Sequence, residues 1–385
     1  MIDAADPAAK PGDVVNIYDK DGGLFGRGLF NPRSQIAVRV LSAGDAAIDD
    51  EFWRQRLRAA IELRRTLRIE ESTDAYRLVH AEGDGLSGLV VERYADVLAF
   101  ELFSLGIVQR FELLARIVAE ELGPPSRLDR VGAVPSPWRV VYRVDERSAS
   151  IEGVPERCRS GVAAGTDAQR LGEVTIRENG VRFRVDVVRG HKTGFFCDQR
   201  ENRRRLAALC RDARVLDLCC YTGGFALAAK LLGGAREVTA VDLDEDAVGL
   251  ARQNANLNQA RVQFVHADAF AYMRQMLENG REYDVVVLDP PKLAPTRADL
   301  EDALRTYYDL NRLAVRLVRR SGLMLSCSCS GLVTPHAFAE MLQRAARNAG
   351  RRLQVFDRTG AGPDHPVAIE CPESEYLKAF WLRVQ

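Results

Sequence analysis

Residues 215 to 225 read VLDLCCYTGGF. The apolar run Val215 to Leu218 gives way to small and polar residues, and a helical pattern follows from Phe225 to Leu232. Such a run, closed by a glycine pair, predicts a buried strand passing through a tight turn into a helix. Gly223 and Gly224 permit main-chain angles that a side chain resists, and let a ligand come close. Nineteen residues beyond Gly223, Asp242 ends a second apolar strand, EVTAVD (237–242), with Leu243 beside it. A glycine turn after one strand and an acid at the end of the next is a layout that holds a nucleoside ribose. Tyr221 stands where the first glycine of GxGxxG would be. That disfavours a pyrophosphate on the helix start, and with it a nicotinamide dinucleotide. A ribose with an amino-acid tail fits instead, which is S-adenosylmethionine. Taken alone, the turn is equally well explained as an ordinary strand–turn–helix of an α/β domain.

Outward from the turn, strand and helix patterns alternate. Strands are expected at VLDL (215–218), EVTAVD, VQFVHAD (262–268), YDVVVLD (283–289) and GLMLSCS (322–328). Helices between them include DAVGLARQNANLN (246–258) and the long segment Leu300 to Arg320. This alternation predicts an α/β fold with a Rossmann-like, doubly wound parallel sheet. Ligands of such sheets lie beyond the carboxyl ends of the strands. That rule joins residues 217–225, 242–244, 268–270, 289–292 and 327–330 into one surface.

Ahead of this domain the pattern changes. Residues 1 to 13 are rich in Pro and Ala and are expected to be loose, and residues 14 to 42 alternate apolar runs with glycine turns, as a small β unit does. Residues 50 to 69 predict an amphipathic helix with Phe52, Leu57, Ile61 and Leu67 as its buried stripe. Arg54, Arg58, Arg65 and Arg68 crowd the other face, either as a solvated surface or as contacts to RNA phosphates, as do Arg203 to Arg205 nearer the turn. Residues 75 to 105 give two or three strands, Phe111 to Leu122 a helix, and WRVVYRV (138–144) a further strand. EVTIRENGVRFRVDVV (173–188) is a hairpin turning on Asn179-Gly180. The expected division is a small β unit at 1–70, an α+β unit at 71–174 and the alternating domain at 175–385.

Composition narrows the class. The 385 residues carry 54 basic and 54 acidic side chains, so nucleic acid must be gripped by a local patch rather than by net charge. None of the eight cysteines forms a CxxC pair, which argues against zinc. With neither a signal peptide nor a membrane-length apolar run, the expected setting is a reducing cytoplasm.

Three strand ends carry chemistry. Asp268 and Ala269 end the third strand, where an adenine edge falls if the ribose sits on Asp242; an acid there is otherwise a common helix cap. DPPK (289–292) ends the fourth, its two prolines stiffening the loop that holds Asp289. SCSC (326–329) ends the fifth, and strand alternation puts Cys327 and Cys329 on one face, with Cys329 nearer the cofactor. A thiol beside an acid is a candidate nucleophile. Carbon 5 of cytosine attacks a methyl sulfonium only after a thiolate has added to carbon 6, and an acid at ring nitrogen 3 stabilises that adduct. Methylation of an exocyclic amine usually places an aromatic ring after the prolines; here Lys292 follows them.

With these residues assembled, the chain resembles the bacterial 23S ribosomal RNA 5-cytosine methyltransferase family of the large-subunit methyltransferase I type. The segments that carry the resemblance are GLFGRGLFNPRSQIAVRVL, YRLVHAEGDGLSGLVVERY, TGFFCDQRENR, CYTGGF, DPPK, SCSCSG and DHPVAIECPESEYLKAF. It implies an N-terminal PUA-like RNA-binding domain with a shortened start, a middle unit and a methyltransferase domain. Cys329 becomes the nucleophile, with Asp289 beside it. Phe195, Asp198, Gln199 and Arg200 join Asp217, Tyr221, Thr222, Gly223, Gly224, Phe225, Asp242, Leu243, Asp268, Ala269 and Asp289 around S-adenosylmethionine. Cys327 is an extra cysteine, expected to serve packing. The implied partner is 23S ribosomal RNA, with a homodimer compatible. The alternatives are methylation of another ribosomal RNA position, such as guanine N2, and a non-catalytic RNA-binding protein.

Overall fold

Five parallel strands realise the alternation: β11 (Arg214–Leu218), β12 (Glu237–Asp242), β13 (Gln263–His266), β14 (Tyr283–Leu288) and β15 (Val318–Ser328). In this computed structural model, which describes residues 4–125, 138–163, 166, 172–188, 190 and 194–385, they belong to a seven-stranded sheet. Its order is β13-β12-β11-β14-β15-β17-β16. The last two, β16 (Leu353–Thr359) and β17 (Lys378–Val384), run antiparallel and have no counterpart among the sequence expectations. Apolar strands buried on both faces need helices on either side, and the helices Leu300–Leu317 and Pro335–Asn348 supply part of that cover.

The chain divides into two compact units. One comprises Met1–Arg177, Val185–Cys197 and Pro363–Pro372; the other comprises Glu178–Arg184, Asp198–Gly362 and Glu373–Gln385 and holds the seven-stranded sheet. Inside the first, β1 (Val14–Tyr18), β2 (Leu24–Phe30) and β3 (Val38–Ala43) form an antiparallel sheet. A second sheet has the order β4 (Ala75–His80), β5 (Leu89–Tyr94), β6 (Val97–Leu102), β7 (Arg139–Val144) and β8 (Ser160–Val162). The hairpin β9 (Glu173–Glu178) and β10 (Val181–Asp186) turns on Asn179 and Gly180, whose φ values of 49° and 84° suit a primed turn.

Several expectations are corrected. Residues 1–3 lie outside the described part, but the end of the 1–13 segment is tied down: Gly12 N–H donates to Phe30 O at 2.7 Å. The first helix runs Asp50–Thr66 and buries Trp53, Leu57, Ala60, Ile61 and Arg64, while Phe52 is only half-buried and Leu67 is exposed. Arg64 is inside because its guanidinium reaches Asp84 Oδ1 and Asp364 O, both at 2.6 Å. The long helix stops at Leu317, not Arg320. Val318 pairs with Tyr283, Arg319 meets the Asp284 carboxylate, and Ser321 takes a left-handed φ of 62°, so the chain has already turned into β15.

The basic stretches are neutralised within the fold. Arg54 pairs with Glu120 and Glu121, and Arg58 with Glu121, whose carboxyl these arginines pull down to about 2. Arg65 meets Glu62, and Arg68 lies 3.7 Å from Glu71. Arg204 meets Glu201, and Arg205 meets Asp357. Arg203 is buried and grips both oxygens of buried Glu178, at 2.7 and 2.6 Å. Removing one partner of such a buried pair strands the other charge and costs about 3–5 kcal/mol. Arg203→Ala is therefore expected to lower the urea midpoint sharply, whereas Arg204→Ala, at an exposed pair, should change the unfolding free energy by less than about 1 kcal/mol and leave the midpoint near wild type.

Candidate active site

The parallel register brings the strand ends level: Leu218 pairs with Val241 on one side and Leu288 on the other, and Leu288 pairs with Ser326. Beyond Leu218 the chain makes a turn in which Cys219, Tyr221 and Gly223 all have positive φ (60°, 47° and 85°). Only Gly223 does so without strain, and a Cβ there would also lie 3.1 Å from the Phe264 ring. Tyr221 and Thr222 are held by hydrogen bonds from outside the turn. Asp242 Oδ2 accepts from Tyr221 N–H at 2.7 Å, and its Oδ1 accepts from Asp244 N–H at 2.9 Å. Asn254 Nδ2 donates to Thr222 O at 3.2 Å. Asn254 escaped sequence reasoning; its one trace is an amide on the otherwise apolar buried stripe of the helix Glu245–Leu257.

Asp217 lies fully buried behind the turn. Its Oδ2 accepts from Ala226 N–H at 2.9 Å, and its Oδ1 has no hydrogen-bond partner among the described residues. Burial, reinforced by Asp289 and Asp242, holds this carboxyl well above the usual range.

At the end of β14, Asp289 Oδ2 accepts from Gln199 Nε2 at 3.0 Å. Gln199 is fixed in turn: its Oε1 accepts from Asn202 Nδ2 at 2.6 Å, and Asn202 Oδ1 accepts from Thr359 Oγ1 at 2.6 Å. Asp198 is buried and accepts from Tyr376 Oη at 2.5 Å. Arg200 is fully buried, with Nε 3.4 Å from Glu201. At the end of β15, Cys329 Sγ packs 4.0 Å from Pro290 O and is half-buried. Cys327 is fully buried, and burial with Asp289 nearby pushes its thiol well above the ordinary value despite a hydrogen bond with Gln199. Cys327 thus shares the neighbourhood of Asp289 rather than sitting away from it, but in its protonated form. Cys219 and Cys220 are likewise pushed up by burial.

The second unit therefore brings together Asp198, Gln199, Arg200, Asp217, the turn from Tyr221 to Phe225, Asp242 and Asp289, with Cys329 beside the Asp289 loop. Phe195 falls in the first unit, where its carbonyl accepts from Tyr94 Oη at 3.0 Å. Thr193 of the TGFFCDQR segment lies outside the described residues. Leu243 is 66% exposed, and its carbonyl contacts His266 Nε2 at 2.9 Å. Asp268 caps the helix Ala269–Glu278 by accepting from Ala271 N–H at 2.9 Å, the commonplace role for an acid at that place.

A sheet of this order, with a glycine turn and an acid at the second strand end, defines a methyltransferase that uses S-adenosylmethionine. Residues 157–383 match the family of S-adenosylmethionine-dependent methyltransferases, and residues 1–43 match a PUA-like domain. Ribosomal RNA large subunit methyltransferase I of Aliivibrio fischeri is 37% identical over 100% of this chain and 93% of its own. The protein of that name from Aeromonas hydrophila is 39% identical over 97% of this chain and 91% of its own. The chain belongs to this ribosomal RNA large subunit methyltransferase I family. Among solved structures, a Streptococcus mutans protein named "putative sam-dependent methyltransferase" superposes with a TM-score of 0.80 at 20% identity, over 97% of this chain and 92% of that one, a likeness of fold.

The Asp217 carboxyl binds its proton more tightly folded than unfolded, so its contribution to stability falls as pH rises from the unfolded value of about 3.9 through the folded one. Asp217→Asn removes that loss. Its melting temperature at pH 7 is expected to equal or exceed wild type, with the difference shrinking toward about pH 4; calorimetric scans across this range check the sign.

Proposed function

We propose that this large-subunit ribosomal RNA methyltransferase forms 5-methylcytosine in 23S ribosomal RNA through a covalent adduct on Cys329. The observation that carries the reading is the place of this thiol: just past the last residue of β15, half-buried, against the carbonyl of Pro290 in the Asp289 loop. A methyl transfer to an exocyclic amine needs no thiol, and the residue after the two prolines is the exposed Lys292 rather than an aromatic ring to stack a base. The thiols of half-buried Cys219 and of buried Cys220 and Cys327 are all pushed up by desolvation, which leaves them poor nucleophiles.

The site suits the cofactor on two structural grounds. Asp217 Oδ1 is a buried acceptor without a partner among the described residues, suited to the ammonium of an amino-acid tail, which would favour the ionised carboxylate. Each Asp242 oxygen accepts one backbone N–H and keeps a second lone pair for a ribose hydroxyl. Leu243 offers an exposed apolar face beside it. When bound, S-adenosylmethionine supplies an electrophilic methyl group on a sulfonium.

The protein's own residues then have separable tasks. The target cytosine leaves its stack to reach a site beyond the strand ends. The Cys329 thiolate adds to carbon 6, and the electron pair of the 5,6 double bond is displaced toward nitrogen 3, where Asp289, oriented by Gln199, faces the ring. Carbon 5 thereby becomes nucleophilic and takes the methyl group. Loss of the carbon 5 proton then lets the carbon–sulfur bond break and restores the ring. Arg203 is buried on Glu178 and unsuited to RNA docking, whereas Arg58, Arg65 and Arg68 stay exposed beside their carboxylates, where RNA phosphates would compete with those weak pairs.

RNA carrying 5-fluorocytosine should trap the adduct, because fluorine does not leave as a proton does. On a denaturing gel the wild-type protein and Cys329→Ser bracket the outcome: a shifted band for the first and none for the second. Cys327→Ala should keep the band; its loss there, or its persistence without Cys329, would move the nucleophile elsewhere.

Calorimetry tests the cofactor side. Charge-assisted hydrogen bonds of about 1.5–3 kcal/mol each imply that Asp242→Ala weakens S-adenosylmethionine binding about ten-fold or more. An unchanged affinity would take Asp242 out of the site.

A further inference from the structure

Antiparallel pairing of β17 with β15 sets Lys378 opposite Ser328, one residue before Cys329. The lysine is 6% exposed. Its Nζ donates to Ser330 O at 2.6 Å and to Tyr376 O at 2.8 Å. One of those carbonyls belongs to the residue that follows Cys329, so the amine is anchored across the strand end that carries the thiol. Both anchors are neutral, and no carboxylate among the described residues forms an ion pair with it. A buried ammonium held only by carbonyls is costly unless a charge of opposite sign comes within reach.

The groups around the pair can be named. Cys329 and Glu375 favour the Lys378 ammonium, Lys292 opposes it, and burial dominates, pulling the amine down to about 8. From the helix Leu300–Leu317, Tyr307 faces both Cys329 and Asp289. Burial pushes its hydroxyl up to about 12, so it remains neutral, within hydrogen-bond reach of Ser328 and Ser330. Asp289, in the loop after β14, carries the charge that disfavours a thiolate. Lys378 is therefore a buried cation anchored across the strand end of Cys329, and the packing of the sheet does not call for a lysine at this position: Leu377 before it and Ala379, Phe380 and Trp381 after it are buried apolar residues.

We propose that Lys378 is the positioning residue that ionises Cys329, forming with it a buried thiolate–ammonium pair. The S–H bond breaks, the electron pair stays on sulfur facing the Lys378 ammonium, and the proton leaves to water, so the step needs no other reactant. This rests on the reading of Cys329 as the nucleophile, but its test involves neither RNA nor methyl transfer.

The test is the pH dependence of Cys329 alkylation by iodoacetamide in the full-length protein, read by mass spectrometry on the peptide that holds it. An ordinary thiol has its midpoint near about 8.5. Wild-type Cys329 should have its midpoint clearly below that. Lys378→Met should move the midpoint upward and slow alkylation at pH 7 about ten-fold. Lys378→Arg, which keeps the positive charge, should restore most of the rate. A wild-type midpoint at or above that of an ordinary thiol overturns the proposal, whether or not the variants fold. So does an unshifted midpoint in Lys378→Met that retains the wild-type circular dichroism. A depressed midpoint in a protein that traps no 5-fluorocytosine adduct would uphold the pair and sink the cytosine reading. A Cys329 adduct with an ordinary midpoint would do the reverse.

Discussion

The second unit's site depends on one carboxylate that holds a strained turn. Three left-handed residues within five, two of them not glycine, are unfavourable for an isolated chain. Asp242 compensates by taking the Tyr221 and Asp244 amides on its two oxygens, so the end of the second strand fixes the loop after the first. Behind that turn, buried Asp217 keeps one oxygen without a hydrogen-bond partner among the described residues. The acid that sequence reasoning assigned to the ribose therefore has an architectural task as well.

The rest of the unit extends the same logic of groups fixed from behind. Asp289 is oriented by Gln199, and Gln199 by Asn202, whose own oxygen is held by Thr359. Trp381 donates to the same threonine at 2.8 Å. A run of hydrogen bonds thus links the loop after β14 to β16 and β17. Each member is short, polar and mostly buried, and each has its partner, which is what makes such a network rigid rather than costly.

The sequence disclosed what depends on local pattern. The parallel strands were legible because they are apolar runs of strand length separated by helical periods, and EVTAVD matches β12 residue for residue. The turn was legible because glycine and the acid stand at fixed offsets. What stayed hidden depends on pairings distant in sequence. β16 and β17 run antiparallel at the sheet edge, and their places are set by pairing, β17 with β15 and β16 with β17, rather than by a local pattern. The arginine helix left a solvated face and an RNA contact both open, because the partners of Arg54 and Arg58, Glu120 and Glu121, lie on another helix. Asn254 and Lys378 sit on apolar stripes, where a polar residue reads as noise until the carbonyls it serves are known. At Asp268 the helix cap that the sequence offered beside the adenine reading is realised by one carboxylate oxygen.

The division of the chain carries one more consequence. The boundary between the units is crossed after Arg177, Arg184, Cys197, Gly362 and Pro372, so neither unit is a single continuous stretch. Asp364 shows what this means at atomic scale: it accepts from the Arg77 amide at 2.9 Å, and its carbonyl takes the Arg64 guanidinium, both in a unit otherwise built from the first half of the chain. A unit threaded in this way cannot be excised by one cut or grafted as a cassette. Only a contiguous piece such as the PUA-like segment 1–43 could move by a single cut; the rest of the first unit travels with the chain that builds the second.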